Sequence, residues 1–339
     1  MWALAPSLIA FAAAALVVAW TGTRLSAIAD RLADRLELGE AFVGAVFLGA
    51  VTSLSGLVTT VTAGLDGFPE LAASNAIGGI AVQTAWIALA DLSYRPANLE
   101  HAAASVPNLT NAVLLIALLT LPLLAALLPA VSVLDVHPAT LGIFVVYIYG
   151  LRLVRQAQKR PMWLPLRTKT TKEDVADEES ARGPSTTRLW LQFALFASMV
   201  AVAGWVIARA GESIVVHTGL AEAAVGALVT GASTSLPELV VSVAAVRRGA
   251  LTLAVGNIVG GNGFDVLQLA AADVAYREGS LYHAVGAKVP FLIVLTLLMT
   301  AVLVLGLVRR EERGVANIGA EGVTILVLYV LGVIALFVG

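Results

Sequence analysis

Two carboxylates stand out in a chain that is otherwise oily. Glu238 lies in GASTSLPELV (231–240), directly after Pro237, and Asp265 closes GNIVGGNGFD (256–265). Thr234 and Ser235 precede Glu238 within one helical turn. A proline inside a helix removes one backbone donor and disturbs the ladder a turn earlier, which frees carbonyls around Ser233 and Thr234. Two carboxylates, two hydroxyls and freed carbonyls form an all-oxygen set, the ligand chemistry of hard cations such as Ca2+ or Na+.

The elements that carry these residues follow from composition. Of 339 residues, 59% are hydrophobic and 13% are charged, and mean hydropathy is +0.89. A soluble chain of this size carries about twice that share of charge. Apolar runs of about 20 residues recur, long enough to cross a ~30 Å hydrocarbon layer as helices. The expected fold is an all-α polytopic membrane protein with ten transmembrane helices. Their expected spans are 2–23, 41–65, 71–92, 104–131, 138–154, 189–209, 221–246, 252–275, 284–308 and 316–338. The polar stretch 155–188 reads as a cytoplasmic, solvated linker. It separates a first five-helix half, 1–154, from a second, 189–339. The chain contains no Cys, which excludes disulfides, thiolate metal sites and Cys nucleophiles. No basic tract points to nucleic acid, nothing identifies a protein partner, and the lipid bilayer is the expected surrounding.

Basic residues orient the spans. With the N-terminus outside, the inner segments hold Arg24, Arg31, Arg35, Arg95, the Lys and Arg of 152–188, Arg247, Arg248, Arg309, Arg310 and Arg313. The outer ones keep Arg209, Arg277 and Lys288. Both termini are therefore expected outside. Short loops and high Ala, Val and Leu content suit a bacterial inner membrane.

A shift of 182 residues lays the chain over itself. VGAVFLGAVTSLSGLVTTV (43–61) matches VGALVTGASTSLPELVVSV (225–243), LAASNAIGGIAVQ (71–83) matches LAVGNIVGGNGFD (253–265), and DLSYR (91–95) matches DVAYR (273–277). Roughly 24 of the 55 positions from Ala41 to Arg95 are identical, without a gap. The linker LDGFPE falls outside and its counterpart RRGALT inside, so the copies cross in opposite senses. Inverted repeats with helices interrupted at matching places mark secondary transporters, with the site near the midplane. If 219–275 is a hairpin turning near Gly249, helix rise puts Glu238 ~17 Å and Asp265 ~23 Å from the turn, both near mid-bilayer. An unpaired charge there costs ~3 kcal/mol or more, and no Lys or Arg falls at matching depth. Each acid is thus protonated or holds a cation, and either state couples the site to protons or metal ions. The competing structural reading is a pair of protonated acids bonded between helices.

These motifs resemble those of the cation/Ca2+ exchanger superfamily, sodium/calcium exchanger type, whose inverted α-repeats read roughly G-T-S-L-P-E and G-N-x-x-G-S-N-x-x-(N/D). Here STSLPE (233–238) and GNIVGGNGFD (256–265) carry the likeness, with the family's spacing between Glu238 and Gly256. The resemblance implies that Thr234, Ser235, Glu238 and Asp265 line the ion sites, and that the first and sixth helices move against an eight-helix core. The first repeat departs from the pattern. Its acid falls on Gly56, its proline on Ser55, and later polar positions on Gly79 and Gln83; Thr52, Ser53 and Gln83 still offer oxygens. Gly261 also stands where the family usually has Ser.

The expected function is secondary antiport of Ca2+ against H+ or Na+, with the transported cation as ligand and no cofactor. Two carboxylates match one divalent ion, two protons or two monovalent ions, so electroneutral exchange is the natural stoichiometry. The alternatives are monovalent cation (Na+ or K+)/H+ exchange and a transport-dead relative that binds a partner. An intramembrane aspartyl protease fails on the order N-G-F-D (262–265), and an enzyme is not expected. Among other residues, Asp91 and Asp273 read as surface i,i+4 partners of Arg95 and Arg277, and Glu40 and Glu222 as acids capping their own helices. Asn75 and Asn257 are expected to bond the backbone of the opposite repeat. His101, His137, His217 and His283 read as surface groups.

Overall fold

The computed structural model describes residues 2–35, 49–92, 94, 97–166, 168, 185–312, 314 and 318–338. Glu40, Arg95, Arg313 and most of the expected linker lie outside them. The described chain is helical. The first half holds α1 (Leu4–Arg35), α2 (Gly49–Thr52), α3 (Leu54–Leu65), α4 (Pro69–Asp91), the short α5 (Leu99–Ala102), α6 (Val106–Leu127) and α7 (Pro138–Lys159). The second holds α8 (Thr186–Thr218), α9 (Glu222–Thr234), α10 (Leu236–Arg248), α11 (Leu251–Ala275), the short α12 (Leu281–Ala284), α13 (Lys288–Arg309) and α14 (Ala320–Val338). Seven helices are long and apolar enough to cross a membrane, and α9–α10 adds an eighth span bent by 46°. The remaining two crossings are α2–α3, whose approach precedes the described residues, and α11. The latter has the length, 25 residues, but carries Asn257, Asn262, Asp265, Gln268 and Asp273. The protein is therefore an integral membrane protein, and the described helices account for ten spans.

The repeat reaches beyond its sequence signal. Leu54 and Leu236, Pro69 and Leu251, Leu99 and Leu281, Val106 and Lys288, and Pro138 and Ala320 each begin a helix, and each pair is 182 residues apart. Packing shows the inversion directly. Gly49, Gly56 and Gly64 along α3 and its approach meet Gly261, Gln268 and Ala272 along α11, in the same order. α3 and α11 are thus parallel, whereas α3 and α4 form an antiparallel hairpin. So α4 and its counterpart α11 run oppositely. α1 and α8 are likewise antiparallel: Trp2 packs on Trp205 and Trp20 on Phe196.

Where the helix limits differ from expectation, amphipathicity explains it. α1 was expected to end at 23 and α8 to span 189–209. Instead they contain 32 and 33 residues, ~48 Å of helix. In the extension of α1, Leu25, Ile28, Ala29 and Leu32 form a stripe packed on Leu189, Phe193 and Phe196 of α8, which keeps this less apolar stretch helical.

α4 and α11 form the buried centre. They are flanked by α9, α6 and α13 and by a core of Leu71, Ile77, Ile80, Leu115, Leu118 and Val266. Small residues let backbones approach: the Cβ position of Gly78 meets Ala227, and that of Gly226 lies 2.7 Å from the Leu71 carbonyl oxygen.

Several polar residues have other roles than their sequence context suggests. Asp91 and Asp273 are buried and act as caps rather than surface residues, the expected partner Arg95 lying outside the described residues. Asp91 accepts the Leu99 N–H at 2.6 Å, and Asp273 accepts the Leu281 N–H at 2.9 Å, so each holds the start of a short helix. Asp273 also receives the His137 N–H and the Thr140 hydroxyl, fixing the entry of α7. Spacing to an arginine cannot reveal this, because the partners lie eight or more residues away. His101 and His137 are buried too. His101 bonds the Arg310 carbonyl and His283 the Leu128 carbonyl, a repeat-related pair that ties α5 and α12 to the ends of α13 and α6.

Two consequences are measurable. Gly78→Val drives a side chain into the Ala227 backbone and should cost about 1–3 kcal/mol of stability, read as a lowered melting temperature in detergent. Gly142→Ala, which meets nothing within 4 Å, should be neutral or slightly stabilising. Glu100 at α5 has both oxygens without a partner among the described residues. Burial, and then the nearby Glu321 and Glu311 charges, push its carboxyl upward from 4.5. A raised folded-state value means the native protein binds the proton more tightly, so stability declines as pH rises above 4.5. Glu100→Gln should remove part of that decline in a pH series of melting curves.

Candidate functional site

The site grows from two symmetric interruptions. α9 stops at Thr234 and α10 starts at Leu236, with Ser235 at φ −93°, ψ 3° between them. In the first repeat α2 stops at Thr52 and α3 starts at Leu54, with Ser53 at φ −81°, ψ 4°. Pro237 sits in the first turn of α10, where a missing N–H costs nothing. The first repeat breaks at the matching residue with Ser55 in that place, so the proline is not required for the break. In both copies the threonine hydroxyl turns back to the carbonyl three residues earlier: Thr52 to Gly49 and Thr234 to Gly231, each at 3.2 Å. Ahead of the second break, Val225–Gly231 winds as a π-helix, a local form that recurs at functional sites.

The breaks face each other across α4 and α11. Ser53, Gly56, Asn75, Gly79, Gln83, Thr234, Ser235, Glu238, Asp265 and Gln268 enclose a small cavity with room of about 10 Å³ for a water-sized sphere, about one occupant. Six of the seven expected site residues thus line one space. The seventh, Thr52, lies within bonding reach of Glu238. The Ser53 hydroxyl donates to Glu238 Oε1 at 3.3 Å and lies within reach of Asp265. The Gln83 amide bridges the repeats, donating to Ser235 Oγ at 3.0 Å and to Asp265 Oδ2 at 2.8 Å. Glu238 is 1% and Asp265 2% exposed, and no salt bridge reaches either among the described residues. Glu238 lies in the first turn of α10, where the amide dipoles favour negative charge.

Some expectations change. The Thr234 carbonyl is not free: it accepts the Ser55 hydroxyl at 2.9 Å, from the opposite repeat. Asn75 bonds within its own repeat, donating to Thr60 Oγ1 at 2.8 Å and to the Gly56 carbonyl at 3.4 Å; Asn257 does the same with Ser242. Glu222 accepts the Leu71 N–H at 3.1 Å and so caps α4 rather than its own helix. Sequence reading overlooked Gln268. It is buried and donates to Asp265 Oδ1 at 2.6 Å. The available signal was an amide one turn beyond Asp265, on the same face, in an otherwise apolar run. Among the described residues no cluster of three His, Cys, Asp or Glu side chains could hold a metal; the acids come as a pair supplemented by hydroxyls and amides.

Ten spans, inverted five-helix repeats and an enclosed polar cluster at their facing breaks define a membrane protein of the exchanger class. The chain matches the family described as sodium/calcium exchanger protein over residues 6–157 and 188–338, and it belongs to that family, one of exchangers rather than enzymes. Its fold is similar to that of the sodium-calcium exchanger NCX_Mj soaked with 100 mM Na+ and 10 mM Sr2+, with TM-score 0.63 and 16% identity over 97% of this chain and 98% of that one. The same exchanger soaked with zero Na+ and Ca2+ gives TM-score 0.60 and 15% identity over 98% and 99%. Native YfkE gives 0.63 and 14% over 98% and 93%. No curated protein matches the chain by sequence.

The Ser55 bond has a testable weight. Ser55→Ala leaves the Thr234 carbonyl buried without its donor and should cost about 1–3 kcal/mol. Thermal unfolding in detergent should show the loss, with Ser55→Thr restoring part of it.

Proposed function

We propose that the protein is a secondary antiporter that moves Ca2+ against H+ or Na+ by alternating access, with Glu238 and Asp265 as the charged ligands. The observation that carries this reading is the set of unpartnered oxygens at the cavity. Glu238 Oε2, Gln83 Oε1 and Asn75 Oδ1 are buried with no hydrogen-bond partner among the described residues. Buried acceptors are normally satisfied, and unpartnered acceptors on two helices, α4 and α10, around a space for one occupant suit a hard cation. Ser53, Ser235 and Asp265 supply further oxygens, while Thr234 and Thr52 support the breaks.

Family membership supports the antiporter class, and the two-carboxylate set supports one divalent ion exchanged for two monovalent charges. The contacts of α1 and α8 suit movement against the remaining helices. Gly22 of α1 meets the Pro237 ring, and the Cβ position of Gly204 in α8 lies 2.6 Å from the Ser55 carbonyl oxygen. These repeat-related glycines set no side chain across the sliding contact. Both termini are placed outside, in a bacterial inner membrane, on the distribution of basic residues and the short loops. Monovalent cation/H+ exchange is the second reading, favoured by the absence of an acid at Gly56.

The test is uptake of radiolabelled Ca2+ into proteoliposomes, driven first by a Na+ gradient and then by a pH gradient. Uptake should follow one gradient and fall at least a hundredfold in Glu238→Gln and Asp265→Asn. No uptake under either gradient, with folded protein, overturns the Ca2+ assignment; Na+ or K+ flux driven by a pH gradient would then establish the second reading.

A further inference from the structure

The first repeat lacks the acid that its partner carries at Glu238, and the space it leaves is filled. A Cβ placed on Gly56 would lie 2.9 Å from Gln268 Oε1 and 3.0 Å from Gln268 Nε2. The Gln268 carboxamide therefore reaches from α11 into the room beside Gly56, where the first-repeat counterpart of Glu238 would begin. Its own repeat counterpart is Trp86, so the amide is an asymmetric addition.

Its orientation is set by a polar relay. Asn75 donates to Thr60 Oγ1, the Thr60 hydroxyl donates to Gln268 Oε1 at 3.4 Å, and Gln268 Nε2 donates to Asp265 Oδ1 at 2.6 Å, with the Ser53 carbonyl also within reach at 3.4 Å. The relay starts in the first repeat and ends on an acid of the second.

We propose that Gln268 is a specificity-determining residue of the cation site: a neutral carboxamide that fills the place of a third carboxylate and, with Gln83, holds Asp265 in position. It rests on the reading of this cavity as a cation site. Two consequences follow for selectivity. The site presents two formal negative charges instead of three. Both Asp265 oxygens are engaged by N–H donors, Oδ1 by Gln268 and Oδ2 by Gln83, which leaves Glu238 Oε2, Gln83 Oε1 and Asn75 Oδ1 as the acceptors of the cavity without a partner among the described residues. A carboxylate at 268 would remove that donor and add a charge beside Asp265, drawing in a further cation or proton.

The experiment is thermal unfolding of the purified full chain in detergent, titrated separately with Ca2+, Na+ and K+ over a range of pH. Wild type, Glu238→Gln, Gln268→Glu and Gln268→Met are compared; the last keeps side-chain length without the amide. Gln268→Glu should shift the midpoint for at least one cation by tenfold or more and add a proton-linked step to its pH dependence. Gln268→Met should alter the ratio of Ca2+ to Na+ midpoints at least tenfold, each midpoint being read as a shift from that variant's own cation-free melting temperature. If Glu238→Gln changes the cation response and both Gln268 variants match wild type for every cation, Gln268 does not set specificity and the inference is overturned. If wild type and Glu238→Gln respond alike to every cation, the cation-site reading fails and the inference with it.

Discussion

The structure is organised around two buried carboxylates that have no basic partner among the described residues. In a medium without water to solvate them, Glu238 and Asp265 are tolerable only with hydrogen-bond donors, a proton or a cation. The chain supplies donors from both repeats: Ser53 from the first break, the Gln83 amide from α4 and the Gln268 amide from α11. The breaks at Ser53 and Ser235 place these side chains and a helix N-terminus at mid-fold, where an unbroken helix would have kept its backbone N–H groups within its own ladder.

Inversion makes that arrangement economical. One hairpin design, used twice in opposite senses, brings two interrupted helices face to face and lays α4 beside α9 and α3 beside α11. The copies then diverge where charge is decided. Glu238 opposes Gly56, Asp265 corresponds to Gln83, and Gln268 corresponds to Trp86. The scaffold pairs remain symmetric: Asp91 with Asp273 and His101 with His283 perform the same capping tasks in each half. The shared helix caps and the charge of the cavity thus rest on different residues of one repeat.

Much of this was legible in the residues themselves. TSLSG against TSLPE and N-x-x-G-G against N-x-x-G-G disclosed the repeat, and hydropathy with the positive-inside pattern disclosed its inversion. What the sequence concealed was partnership over distance. Asp273 looked like a surface partner of Arg277 because helical spacing is visible and a bond to the His137 N–H is not. Pro237 looked like the cause of the break, yet Ser53 breaks its helix without one, so the cause lies in packing around the serines and threonines. Gln268 escaped notice because it falls opposite a tryptophan in the repeat alignment. Its place beside Gly56 appears only in three dimensions.

The central claim is that two carboxylates, and not three, set the charge carried per cycle. The most direct measurement is the net charge moved per Ca2+ in proteoliposomes with the membrane potential clamped by K+ and valinomycin. The account predicts Ca2+ flux that is independent of the imposed potential, with no net current accompanying exchange. Flux that rises and falls with potential, together with a current proportional to Ca2+ moved, would contradict it and require a further charge in the site.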